Sequence, residues 1–454
     1  MPMNKENKFY KIEKSNISNL SSDKLSNLLS SFLEKGSEIE QLYQKTYQPN
    51  YLYWDEIKYK KLPSDITSAE FWQFVKFIRR AQSTKTSIKS ENGKYFTWLR
   101  LPGLEEFLHE IDLNMGGHLS TFIGNIDEAN KQKFIVRGIM EEAIASSQLE
   151  GAHTTREAAK KLLLENRKPR NESEQMILNN YETLQLIENK EGDKKMTSDF
   201  LFELHESIAR DTISKKEVGR YRTDKEDIIV TDKFGKFIYH QPPKIDFVKA
   251  EMQEFFKFAN DEIGESFVHP LIKAIMLHFW IGYLHPFTDG NGRMARLMFY
   301  WYLLRNDYWA FKYIPLSTKI KAAQKQYGDA YIYSEQDDLD LTYFIDFNIR
   351  KIKLALYDFE EYVERKAIEN AKMNKLSKTK YKLNERQIQL LQFLHKNKDE
   401  KTTTKIYMNI NQISRVTATD DLKELKNIGF IEPEIIKKTI FYYGTNKITE
   451  LFNR

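Results

Sequence analysis

The chain has 454 residues, too many for one ordinary domain and enough for two or three. Its 41% hydrophobic and 30% charged residues, with 29 Phe, 25 Tyr and 6 Trp, are the composition of a folded protein, and the lack of cysteine excludes disulfides, thiolate metal sites and thiol catalysis. The net charge of +5 is unevenly spread: residues 371–454 carry 17 Lys and Arg against 9 Asp and Glu, so any attraction for polyanions belongs to that tail.

The first residues, MPMNKENKFYKIEKSN, contain no apolar stretch of signal-peptide length, and no uncharged run of the chain reaches about 18 residues. A cytoplasmic protein with no membrane partner is the expectation. Residues 1–130 read as a helical unit. Within it Thr67 and Ser68 offer cap oxygens to a helix whose Phe71, Phe74, Val75 and Ile78 fall on one face, and Asn92-Gly93 is a two-residue hairpin turn.

From 131 to 370 the pattern stays helical, with one exception. Ile228, Ile229, Val230 and Thr231, and then Lys236 to His240 with Ile238 and Tyr239, form two β-prone runs around Asp232-Lys233-Phe234-Gly235, and Pro242-Pro243 ends the pairing. That is a second hairpin. Residues 366–382 are polar and basic and mark a linker or exposed helix end. Beyond them, 383–454 read as three helices followed by a strand, the order of a winged helix-turn-helix.

The strongest chemical signal lies between two runs that are apolar all round, Leu271 to Leu284 and Met294 to Leu304. Helices of that kind are buried. His285, Asp289, Asn291 and Arg293 nevertheless stand between them, and unpartnered charges there would cost roughly several kcal/mol each, so they should face a ligand. Gly290 and Gly292 let backbone N–H groups turn inward, and the helix that follows aims its positive end at the same place, a combination suited to phosphate. Arg293 and Arg296 add fixed charge, Asp289 can hold Mg2+ against phosphate oxygens, and His285 can take a proton near neutrality. Phosphoryl or nucleotidyl transfer is the chemistry these parts suit. His278 reads as a core histidine. A zinc site from His269, His278 and His285 matches no usual ligand spacing.

The run HPFTDGNGRMAR resembles the signature HPFx[D/E]GNGRxxR of the Fic family at every specified position. That resemblance, which covers roughly residues 134–360, implies a mainly α fold: a helical core with a β-hairpin flap. It also implies ATP as co-substrate with Mg2+ and transfer of AMP to a Ser, Thr or Tyr hydroxyl of a protein target. His285 would be the general base, Asp289 the metal ligand, and Gly290, Asn291, Gly292, Arg293 and Arg296 the phosphate contacts. Upstream, Ser146, Glu150 and Gly151 resemble the family's inhibitory motif [S/T]xxxE[G/N] on a helix of about 134–150, which would set Glu150 against Arg296. The hairpin at 228–240 stands where the family places a flap that holds the target as an added strand. VGRYRTD just before it resembles the family's GxYR stretch. Two other readings stay open. The same site could remove AMP from modified proteins, with Glu150 orienting water, or the chain could be a regulator whose C-terminal unit contacts DNA or protein. Against DNA, the helix after Arg415 carries Asp420, Asp421 and Glu424, which would repel phosphates.

Overall fold

The computed structural model describes residues 8–115, 128–189, 194–232, 234–263, 267–377, 381–397, 400–436 and 439–452. Its N-terminal part comprises β1 (Lys8–Phe9), α1 (Ser22–Leu33), α2 (Glu38–Gln44), α3 (Trp54–Ile57), α4 (Ser68–Gln82), the hairpin β2 (Thr84–Lys89) and β3 (Tyr95–Trp98), and α5 (Leu104–Met115). Thr67 caps α4 in a reciprocal box with Glu70, which satisfies two of the helix's free N–H groups. The apolar face of α4, with Phe71, Phe74 and Val75 fully buried, centres a core that also takes in Ile332 and Tyr343 from far along the chain. Phe96, Trp98, Leu104 and Phe107 join the larger central core instead.

The central body follows: α6 (Glu128–Leu149), α7 (Arg156–Glu165), α8 (Glu172–Glu188), α9 (Ser198–Ala209), β4 (Val230–Thr231), β5 (Phe237–His240), α10 (Ile245–Ala259), α11 (Pro270–Leu284), α12 (Asn291–Arg305), α13 (Leu316–Lys321), α14 (Gln324–Gln336) and α15 (Thr342–Ser377). Helices α11 and α12 pack against each other at its centre, with Trp280 and Trp301 fully enclosed. Burying an aromatic of that size is worth roughly 3 kcal/mol, so the two helices form a rigid floor for the loop between them. Helix α15 runs on through the polar stretch to Ser377. The flap strands are shorter than the sequence suggests: pairing starts at Val230, and Ile229 is buried just ahead of it.

An unexpected partner completes that sheet. Strand β1 lies parallel to β5, Lys8 opposite Phe237 and Phe9 opposite Ile238, so the order is β1-β5-β4. The edge of β5 is therefore closed by the chain itself, and β1 and β4 are the edge strands of the sheet.

The C-terminal part comprises α16 (Glu385–Lys396), β6 (Lys401–Thr402), α17 (Thr404–Asn411), α18 (Arg415–Ile428), β7 (Ile431–Ile436), β8 (Thr439–Gly444) and α19 (Asn446–Phe452). Its strands are ordered β6-β8-β7, and Leu391, Leu394, Tyr407, Leu422, Leu425 and Phe430 give it a core of its own. It rests on the central body through α17: Asn409 Nδ2 donates to the Leu164 carbonyl at 2.7 Å and Lys405 Nζ to that of Asn166 at 3.5 Å. Asp421 does not face outward as the sequence suggests. It is buried and accepts from Arg386 and Tyr407, because the apolar stripe Ala418, Leu422 and Leu425 turns that side of α18 inward. Among the described residues no helix is long and apolar enough to cross a membrane.

Candidate active site

His285 occupies the turn that ends α11. Its backbone is left-handed, with φ 48°, and its N–H still closes on Ile281 O at 2.9 Å. That conformation costs a non-glycine residue roughly 1–2 kcal/mol and ends the helix at this residue. Nδ1 lies 3.1 Å from Gly282 O. A carbonyl only accepts, so Nδ1 carries the proton and Nε2 is left as the basic nitrogen. Burial first, then the nearby His240 and Arg222, push the His285 pKa down to about 3, which keeps the ring neutral.

The loop after His285 is held by its own side chains. Asn291 Oδ1 accepts the Phe287 N–H at 2.9 Å and Asn291 Nδ2 donates to Phe287 O at 2.8 Å. Its amide is thereby used within the loop, and what Asn291 can offer a phosphate is its backbone N–H at the start of α12. Arg293 is completely buried, donating to Ile208 O at 3.0 Å and to Asp289 Oδ2 at 2.9 Å. Arg222 threads the far side: its Nε donates to His285 O at 2.8 Å and its Nη2 to Pro243 O at 2.5 Å. His205 stacks on Phe287 with ring centroids 3.8 Å apart, accepts the Gly219 N–H at Nδ1 and reaches Asp289 O through Nε2. The bond accepted at Nδ1 requires its neutral form, and burial pushes its pKa down to about 4. Sequence reasoning did not single out His205. Only its place in α9, opposite the loop, reveals it.

Helix α6 brings its end to the same place. Arg296 Nε donates to Ser146 Oγ at 2.8 Å, and Arg296 Nη2 donates to Ser146 O at 3.0 Å and to Glu150 Oε1 at 2.8 Å. Burial alone would lower the Arg296 pKa, but the Glu150 carboxylate outweighs it and raises it. The same carboxylate covers Gly292: a Cβ there would come within 2.0 Å of Glu150 Oε1. Glu150 thus sits at the N-terminal turn of α12, where unpaired N–H groups and the helix dipole favour an anion. Gly151, with φ 97°, lets the chain turn away immediately afterwards. One turn before Ser146, buried Glu142 anchors α6 by accepting from Ser317 N and Tyr300 OH, each at 2.8 Å.

Beside this contact opens a cavity of about 450 Å³ lined by Glu150, Gly151, His153, Glu172, Thr212 and Asp289 among others. Asp289 is half-exposed on it, with one carboxylate oxygen turned to Arg293. In the flap, Ile238 is fully buried while Val230, Thr231, Ile228 and Tyr239 are part-exposed. The three histidines of the zinc alternative are not brought together. His278 bonds Tyr327 OH inside the core and His269 caps α11 while pairing with Asp112. Among the described residues no group of three or more potential ligands is arranged for a metal ion.

Residues 195–303, which span α9, the flap and the loop between α11 and α12, match the family model for Fic/DOC proteins. The protein carries a Fic/DOC domain. It is 32% identical over 112 residues to Protein adenylyltransferase Fic of Nematostella vectensis, covering 25% of this chain and 24% of that one. To Protein adenylyltransferase fic-1 of Caenorhabditis elegans it is 29% identical over 119 residues, 26% of this chain and 21% of the other. The matched stretch is therefore about a quarter of the length of these curated relatives. Among solved structures, a Fic family protein of Desulfovibrio desulfuricans G20 aligns with 20% identity and a TM-score of 0.48, over 76% of this chain and 97% of that one.

Proposed function

We propose that the Fic domain transfers AMP from ATP to a Ser, Thr or Tyr hydroxyl of a protein target. The observation that carries this reading is a neutral His285, with Nε2 as its basic nitrogen, at the start of the loop that leads into α12, the helix that carries Arg296. The acceptor oxygen attacks the α-phosphorus, the bond to pyrophosphate breaks, and the hydroxyl proton passes to His285 Nε2. The N–H groups of Gly292 and Arg293 and the charge of Arg296 hold the phosphates. Asp289 suits a Mg2+ ion bound through one protein carboxylate and the phosphates themselves, and that ion would neutralise phosphate charge. The open edge of β4 takes the target as an added strand, since backbone pairing aligns a hydroxyl without dictating sequence.

Glu150 stands where a terminal phosphate would reach Arg296, so the resting protein is autoinhibited. We assign residues 131–370 to the catalytic core and 383–454 to a winged helix-turn-helix, in a protein that works in the cytoplasm. A second reading for the C-terminal unit is nucleic-acid contact. With Asp421 turned inward, Arg415, Lys423 and Lys426 stand exposed on α18, which removes one of the repelling carboxylates. The deciding experiment offers labelled ATP, GTP, UTP and CTP with magnesium to the wild type and to Glu150→Gly. Incorporation from ATP into protein supports the reading. Release of AMP from already modified protein, with no incorporation by either form, would reverse its direction.

A further inference from the structure

Strand β5 ends at His240, and both nitrogens of that imidazole face oxygen. Nε2 lies 2.8 Å from the Tyr283 carbonyl and Nδ1 2.7 Å from Glu335 Oε2. The carbonyl can only accept, so Nε2 bears a proton, and a carboxylate at Nδ1 favours a second one there. Only 10% of the His240 side chain and 19% of that of Glu335 are exposed, so little water competes for this pair. Among the described residues the titratable groups that face the ring are Glu335 from α14, Tyr283 from α11, His285 from the loop and Arg222 from the segment before the flap. Glu335 supplies the negative charge.

We propose that His240 is a positioning residue for the transfer reaction: a lasting imidazolium, paired with Glu335, that pins the base of the flap to the end of α11. The inference rests on the transfer reading given above. Tyr283 stands two residues before His285, so the bond from His240 holds the backbone from which the base projects. The same residue ends the strand against which β4, the target's docking edge, is aligned. One side chain thereby sets the distance between a docked hydroxyl and His285 Nε2. The His240 and His285 rings are 6.2 Å apart, and a cation at that distance also opposes a proton on His285. Burial works against a charged His240, yet the contact with Glu335 outweighs it and raises its pKa.

Two variants separate the charge from the tether. In Glu335→Gln the amide can donate to Nδ1, so a neutral ring keeps its bond to Tyr283. In His240→Phe both bonds are lost. The first measurement needs no nucleotide: nitrogen NMR of the full chain labelled in its nine histidines, with the His240 signals assigned by their loss in His240→Phe. Two protonated ring nitrogens at pH 7.5 in the wild type, and one in Glu335→Gln, are expected. An unprotonated His240 nitrogen in the wild type overturns the proposal. The second measurement is kinetic, in a Glu150→Gly background. A misplaced acceptor should lower kcat by about 10- to 100-fold in His240→Phe while KM for ATP stays within about twofold. An unchanged kcat, or a KM for ATP that rises in step with the loss, overturns the positioning role. Absence of transfer by the Glu150→Gly parent would overturn the reading of the reaction, and the spectrum would still decide the charge of His240.

Discussion

Replacing Glu150 with glycine removes the carboxylate paired with Arg296 at the head of α12, and transfer should rise sharply. The partners lie 2.8 Å apart, with Arg296 3% and Glu150 27% exposed. Two unit charges about 4 Å apart interact by about 4 kcal/mol at an effective dielectric of 20. Desolvation of the guanidinium and the water still reaching Glu150 reduce the net value to about 2 kcal/mol. If that contact must break before the terminal phosphate can bind Arg296, its loss raises the rate by about thirtyfold. The substitution is structurally mild, because Glu150 lies just beyond the last residue of α6 and no helical turn is weakened. Glu150→Gln, which keeps a hydrogen-bonding shape without the charge, should fall between the two. The assay is the initial rate of AMP incorporation from labelled ATP into a promiscuous acceptor, at equal protein and fixed magnesium. Equal rates for wild type and Glu150→Gly would refute the reasoning and leave Glu150 as an ordinary carboxylate at a helix end.

His285→Ala should lower transfer by about 10²- to 10⁴-fold while ATP binding, followed by calorimetry, is nearly unchanged, because a base acts on the proton and not on the triphosphate. Asp289→Ala should lose activity and magnesium dependence together; a variant that stays active and magnesium-responsive would place the ion elsewhere. Truncation after Ser377 should leave transfer by the Glu150→Gly form at a comparable rate, since the C-terminal unit has its own core, and a folded but inactive truncation would show that the unit completes the site. Burial holds the His278 pKa well below its ordinary value. Its contribution to stability is therefore whole above the unfolded value near 6.5 and is lost as pH falls below it, by about 1.4 kcal/mol per unit. The fall in Tm between pH 7 and pH 5 should be smaller in His278→Gln, and an identical fall would contradict a buried neutral ring.

Much of this architecture was legible locally. The Thr67 cap, the hairpin around Asn92-Gly93 (whose connection takes in residues 90–94 between the paired Lys89 and Tyr95, and not the two residues expected) and the all-round apolar runs of α11 and α12 are signals that act over a few residues, where chain connectivity does most of the ordering. The resemblance of Ser146, Glu150 and Gly151 to an inhibitory motif likewise pointed at Arg296, and that contact is present because α6 ends against α12, with Ser146 in its last turn and Glu150 just past its end. Other features had no local signal. Nothing near Asp421 in the chain says that it turns toward Arg386, nothing near Lys8 says that it will close the edge of β5, and nothing near His240 says that Glu335 will meet it. Each of these partners is separated by tens to hundreds of residues, and each contact exists because close packing of the helices leaves one place for the group to go. Residue types and spacing determined which chemistry the loop can do. Packing decided which of its polar groups are spent on holding the loop, as Asn291 and Arg293 are, and which remain to meet a ligand. The physical reason is that a buried polar group must be satisfied wherever the fold places it, and only the folded chain shows by what.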